Sequence, residues 1–232
     1  MEAGVPNLAV PQDNILFAFL YDTMMREKMK YFLPGGNFAL ECILQQGNTY
    51  SWSDVVNIRD IWRRFGKGSI DGLKFTSVYQ TRILKMMGYS FDLFLLDWID
   101  YNRQRAIQEL HDFCGFEYYG RKHLENIFTA FLQLYWLPKK FGVDKRTSHL
   151  SSMIASGQMT REEALRELAQ PVCDEAMMSE YIAVIKKGLG LSDEDFDRLM
   201  AAPIHQHTEY RTDKKAVIIR KILAFGRLFL RK

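Results

Sequence analysis

Apolar and polar positions divide the chain into short helical runs separated by Gly, Pro and Asn. Leu16, Phe19, Leu20 and Met24 recur at helical spacing, and behind Pro11 either Asp13 or Asn14 can cap a helix over residues 15–30. Tyr31, Phe32 and Leu33 form a short apolar run suited to a buried strand, and Gly35-Gly36-Asn37 follows at once. Ser53 is placed to cap a helix through Arg64 that carries Val56, Ile58, Ile61 and Trp62, and another helix is predicted over 75–88. The apolar segment 91–99 is too short for periodicity to separate helix from strand, and its middle, residues 94–96, supplies a candidate second parallel strand. Asp100 predicts the start of a helix reaching Phe113, with Ala106, Ile107 and Leu110 inward. Thr160-Arg161-Glu162-Glu163 is a capping box, and Ser192 to Asp195 offers a second, with Phe196 and Leu199 on the buried side. His205 and His207, next to Pro203, read as surface residues of a loop.

Between these elements lies the stretch with the densest chemistry, residues 115–165. Two polar clusters bracket one strongly apolar helical run. The first is Tyr118-Tyr119-Gly120-Arg121-Lys122-His123-Leu124-Glu125, and the second is Asp144-Lys145-Arg146 with His149. A solvated rim at two helix ends is the plain account of such clusters, and residue types alone leave it open. The Gly-Gly-Asn turn after the first strand is equally two-sided. Glycines let backbone N–H groups approach a nucleotide closely, and the same residues make an ordinary turn. Lys67-Gly68-Ser69 lacks the upstream glycine of a phosphate loop, no GxSxG elbow occurs, and His123, Glu125 and His149 lack the spacing of a zinc site, so no metal site is expected.

Charge narrows the classes further. The net charge is +3, but residues 211–232 carry eight Lys or Arg against one acid, which leaves the rest of the chain at −4. Chain-wide affinity for nucleic acid is therefore unsupported. The tail is basic and amphipathic: Arg220, Arg227 and Arg231 fall on one helical stripe, and Ile218, Ile222, Phe225 and Phe229 on another, which makes it a candidate for contact with an anionic membrane surface. Cys42, Cys114 and Cys173 are widely spaced and read as reduced thiols. No signal peptide and no run of about 20 apolar residues is visible, so a cytoplasmic location is expected, with the inner face of the cytoplasmic membrane as the place where the tail would act.

The motifs YYGRKH, LPKKFGVDKR, HLS and SGQMTREEAL, and the strand leading into GGN, resemble the C-terminal part of the N-acetyl sugar amidotransferases, ATP-dependent enzymes of the PP-loop superfamily from lipopolysaccharide and O-antigen pathways. The resemblance runs from Pro11 through the tail. Family members read Gly-Gly where this chain has Gly120-Arg121, and they carry ahead of this region an SGGxDS loop and CxxC pairs that do not occur here. The resemblance implies an α/β fold: a truncated PP-loop (adenine nucleotide alpha-hydrolase-like) domain with a predominantly helical C-terminal half. Residues 1–100 would be what remains of the nucleotide-binding domain, 101–210 a helical region with the YYGRKH and DKR clusters, and 211–232 the basic tail.

It further implies an adenylating conversion of an acetamido to an acetamidino group on a nucleotide-linked or nonulosonic N-acetyl sugar. ATP and Mg²⁺ would be needed, with ammonia from a glutaminase subunit paired with a cyclase-like channel subunit. By resemblance Lys122, His123, Lys145 and Arg146 would be catalytic. Asp13, Gly35, Gly36 and Asn37 would bind the nucleotide, and Tyr118, Tyr119, Glu125 and His149 the sugar substrate. The missing loop implies a chain that is incomplete as a catalyst by itself. A non-catalytic remnant or interaction module of the same family is the competing expectation.

Overall fold

The computed structural model describes residues 1–118, 120 and 126–216. In chain order its elements are α1 (Val10–Arg26), β1 (Tyr31–Phe32), α2 (Phe38–Glu41), α3 (Val55–Phe65), α4 (Val78–Met86), β2 (Phe91–Asp92) and a 3₁₀ turn (Leu95–Asp97). Then come α5 (Arg103–Cys114), α6 (Ile127–Phe131), a π-helical turn (Leu132–Trp136), α7 (Leu137–Phe141), α8 (Arg146–Ala155), α9 (Arg161–Ala169), α10 (Glu175–Leu189), α11 (Asp193–Ala201) and a 3₁₀ turn (His207–Glu209). The chain is mostly helical with one two-stranded parallel sheet, compatible with the α/β class. It forms two compact units, one of residues 1–32, 50–91 and 205–232 and the other of residues 33–49 and 92–204. The sequence reading divides the chain in series, whereas these units interleave.

In the first unit α1 begins five residues before the expected start. Pro11 is compatible with a first helical turn, where no N–H partner is needed, and Asn7 Oδ1 accepts from the Ala9 N–H at 3.1 Å. Asn14 is therefore no cap. It lies inside the helix, fully buried, donates to the carbonyls of Trp52 and Thr76 at 2.7 Å each, and accepts from the Thr76 N–H at 3.1 Å. Asp54, one residue past the expected Ser53, caps α3 by accepting from the Asn57 N–H at 3.0 Å. Ser77 caps α4 with Gln80 as its reciprocal partner, which trims the predicted helix at both ends. The strand pairing falls at Phe91, whose N–H donates to Lys30 O at 2.8 Å, while the candidate strand at 94–96 is a 3₁₀ turn.

His207, expected on the surface, is 3% exposed. Asn57 Nδ2 donates to the carbonyls of His207 (2.8 Å) and Arg211 (3.1 Å), and Asn57 Oδ1 meets His207 Nδ1 at 2.9 Å. An amide oxygen only accepts, so Nδ1 carries the proton of the neutral ring. The ring stacks on Tyr50 at 4.4 Å, and burial lowers its pKa from 6.5 to about 4. Asp60 closes the same region, accepting from the Arg211 N–H at 3.1 Å and pairing with Arg64 at 3.0 Å.

The second unit is built around the helical run α6–π–α7. Phe131 and Trp136 are fully buried and Leu137 nearly so, joined by Leu150 of α8, Met178 of α10 and Leu199 of α11. Phe131 packs on Phe196 at 6.1 Å and Trp136 on Phe141 at 5.8 Å. Pro138 accounts for the wide turn. It has no N–H to offer Leu134, four residues back, and Cys173 Sγ lies 3.8 Å from that carbonyl instead. Lys140 lies over the Trp136 ring at 5.1 Å and donates to the carbonyls of Leu199 (2.6 Å), Met200 (3.1 Å) and Ala202 (2.7 Å), the unpaired end of α11. Thr160 and Ser192 cap α9 and α11 as expected, but α5 is capped by Asn102 and not by Asp100.

Candidate functional site

The sequence-predicted residues that the second unit brings together lie along α8 and the segment 37–48. Asn37 caps α2 by accepting from the Leu40 N–H at 2.9 Å, and Asp97 accepts from the Phe38 N–H at 2.6 Å. Neither Gly35 nor Gly36 takes a left-handed φ. A Cβ on Gly36 would sit 3.3 Å from Glu41 Oε2 and 3.6 Å from the Phe94 ring, whereas one on Gly35 would meet open space. From there the segment follows α8 towards its N-terminus. Ser156 Oγ donates to Ala39 O (2.9 Å), His149 Nδ1 to Leu40 O (3.1 Å), and the Ile43 N–H to Ser152 Oγ (2.9 Å). Gln45 Nε2 reaches Asp144 O at 3.1 Å and holds buried Asn48, whose Nδ2 donates to Gln45 Oε1 at 3.0 Å. Positions 149, 152 and 156, three and four residues apart on one face of α8 and its C-cap, thus meet this strap.

At the head of α8 two adjacent cations are treated differently. All five side-chain N–H groups of Arg146 have acceptors. Nε and one Nη2 hydrogen bind the Asp144 carboxylate at 2.7–3.1 Å. The others meet the carbonyls of Glu167 (3.0 Å), Gln170 (3.0 Å) and Leu168 (3.3 Å) at the end of α9. This arginine joins two helices, and no donor is left over for a phosphate. Lys145 is half-buried, and among the described residues its Nζ meets only Asn48 Oδ1, at 3.4 Å. No carboxylate pairs with it among the described residues, and burial lowers its pKa. A partly desolvated ammonium with two open donor directions suits an anion.

Residues 125–223 match a family model, the C-terminal domain of LPS biosynthesis protein WbpG-like proteins. The matched stretch contains α6 to α11, the π-turn, Lys145, Arg146 and His149, and spans less than half of the chain. No curated protein and no solved structure matches. The WbpG-like stretch is thus similar to part of a lipopolysaccharide biosynthesis protein, and the match carries no reaction with it.

Tyr118 lies just ahead of this stretch, and its hydroxyl accepts from Arg103 Nη2 at 2.8 Å. Tyr119, Lys122, His123 and Glu125 lie outside the described residues, as does the amphipathic tail from Val217 onward. Gly120 borders an open hollow of about 820 Å³ together with Leu134, Cys173 and the first turn of α10. Asp13 belongs to the first unit, in the first turn of α1, where burial raises its carboxyl pKa. No three His, Cys, Asp or Glu side chains gather as a metal site among the described residues. No described helix is long and apolar enough to cross a membrane.

The sequence reading missed Asn48 and Arg103. Asn48 sits 97 residues from Lys145 and carries no motif; its only signal is an Asn in a polar loop.

Proposed function

We propose that the chain acts in lipopolysaccharide biosynthesis as an ATP-dependent N-acetyl sugar amidotransferase, or as the C-terminal part of one related to the PP-loop enzymes. In that reaction the acetamido oxygen attacks the α-phosphate of ATP and pyrophosphate leaves. Ammonia, delivered by a glutaminase through a channel subunit, then adds to the activated carbon, and AMP departs with the former amide oxygen to leave an acetamidino group. The observation that carries this reading is Lys145, a half-buried cation without a counter-charge among the described residues, held at the head of α8 inside the WbpG-like stretch. Its role would be to hold phosphate oxygens as charge accumulates on them. Asn48 positions it, Gly35, Gly36 and Asn37 would lie at the nucleotide's edge, and Tyr118 and His149 on the sugar side. Mg²⁺ would arrive bound to the nucleotide's phosphates. Arg146 anchors α9 in this scheme.

One observation favours a second reading, a non-catalytic member of the family. Arg146, one of the cations expected to act on phosphate, spends every donor on Asp144 and the end of α9. The full chain, supplied with ammonium, ATP, Mg²⁺ and UDP-linked N-acetyl sugars, and separately with a glutaminase partner, decides between them. Formation of AMP and pyrophosphate that falls about 10- to 100-fold in Lys145→Ala, with an unchanged melting temperature, is the expected result. Absence of AMP under every condition favours the non-catalytic reading, and equal activity of Lys145→Ala removes this lysine from the mechanism.

A further inference from the structure

A second cation in the same unit lacks a counter-charge among the described residues. Arg103 opens α5, half-buried, and its backbone N–H donates to Gln158 Oε1 at 2.9 Å, while Gln158 Nε2 holds Tyr101 O at 2.9 Å. Positions 101 and 103 are thus fixed to the residues just after α8. The guanidinium carbon lies 5.0 Å from the centroid of the Tyr118 ring, Nη2 donates to the Tyr118 hydroxyl at 2.8 Å, and among the described residues Nη1 meets only the thioether of Met153 at 3.6 Å. Of five N–H groups one reaches an oxygen, one reaches a weak sulfur acceptor, and no carboxylate pairs with Arg103 among the described residues. The neighbouring arginines behave otherwise. Arg105 pairs with Asp100 and Glu109, and Arg146 uses every donor it has.

Stacking on an aromatic face leaves the edge of a guanidinium free for a planar two-point contact with an oxyanion. We infer that Arg103, braced by Tyr118 and flanked by Tyr101, is a binding residue for a phosphate group of the ligand. Met153, which touches it, lies eight residues beyond Lys145, about 12 Å along the axis of α8. Arg103 and Lys145 therefore hold different phosphate groups, or different parts of one extended ligand. This deepens the reading above and rests on it for the identity of the ligand, though the site itself needs no assumption about the reaction.

Calorimetric titration of the full chain with inorganic pyrophosphate and with UDP-N-acetylglucosamine, at constant ionic strength, tests it. Arg103→Gln is expected to bind about 10- to 100-fold more weakly, and Arg103→Lys to recover only part of the loss because an ammonium lacks the fork. Loss with UDP-N-acetylglucosamine but not with pyrophosphate assigns the site to a nucleotide-borne phosphate, and loss with both assigns it to phosphate in any form. Binding kept in Arg103→Gln but lost in Lys145→Ala overturns the inference and leaves the Lys145 reading in place; the reverse pattern supports the inference and counts against that reading. Wild-type protein that binds neither probe overturns the inference outright. If Arg103→Gln does not fold, phenylglyoxal labelling of the wild type replaces it. Pyrophosphate or UDP-N-acetylglucosamine should then shield Arg103 and not Arg105, and equal labelling of Arg103 with and without both probes would sink the proposal.

Discussion

In the unit formed by residues 33–49 and 92–204 the interior is aromatic and aliphatic, with Phe131 packed on Phe196 and Trp136 on Phe141. In the unit of residues 1–32, 50–91 and 205–232, by contrast, buried amides link segments far apart in the chain. Asn14 joins α1 to Trp52 and Thr76, and Asn57 joins α3 to His207 and Arg211. The first kind of interior tolerates small errors of placement, since dispersion and the hydrophobic effect are non-directional. The second does not, because each buried donor must find its own acceptor or carry the full cost of desolvation.

Replacing Trp136 by Ala should break the aromatic interior most severely. The ring is fully buried, so a loss of about 3–5 kcal/mol in urea unfolding is expected. A loss below about 1 kcal/mol would mean that the interior collapses into the space and is not closely packed.

Acid probes the other interior. Burial disfavours the charged His207 ring, whose pKa is lowered to about 4, while in the unfolded chain it returns to about 6.5. As pH falls the unfolded state takes up the proton first. This contribution is complete above pH ~6.5, shrinks between there and pH ~4, and levels off below, for a total of about 3 kcal/mol. An NMR titration of the His207 ring protons checks it: a midpoint near 6.5 in the folded protein would show that the ring is solvated.

The smallest effect separates local from distant order. Thr160→Ala removes an exposed cap whose partner is three residues away, and should cost about 1 kcal/mol without changing the acid response of His207. A shift in the His207 titration would show that the two units do not respond independently.

These contrasts also explain what was legible beforehand. The Thr160 and Ser192 caps, the inward Phe196 and Leu199, and the apolar run before Pro138 are written within four residues of themselves. The roles of Asn14 and Asn57 are not, because their partners stand 38 to 154 residues away and any polar loop residue would look the same. Asn14 resembled a cap for the same reason that it serves as a connector: a short amide side chain satisfies backbone groups wherever they come within reach. In the candidate site the cluster Asp144-Lys145-Arg146 was visible as charge. What separates a strut from an open cation is the set of carbonyls at the end of α9, which no local pattern reveals.

The wide turn at Leu132–Trp136 sets the phase of everything that follows it in the same helical run. One residue of an α-helix is worth about 100° of rotation. Deleting a single residue there would return the turn to ordinary pitch and leave α7 in phase, since the wide turn spends one extra residue on the same rotation. Keeping all five residues at ordinary pitch would instead swing α7 by nearly a third of a revolution. Lys140 would then leave the carbonyls of Leu199, Met200 and Ala202, and Trp136 would leave its place under that ammonium. The stretch therefore works as a dial: the pitch at which its five residues are wound, more than their identity, determines which side chains face α11.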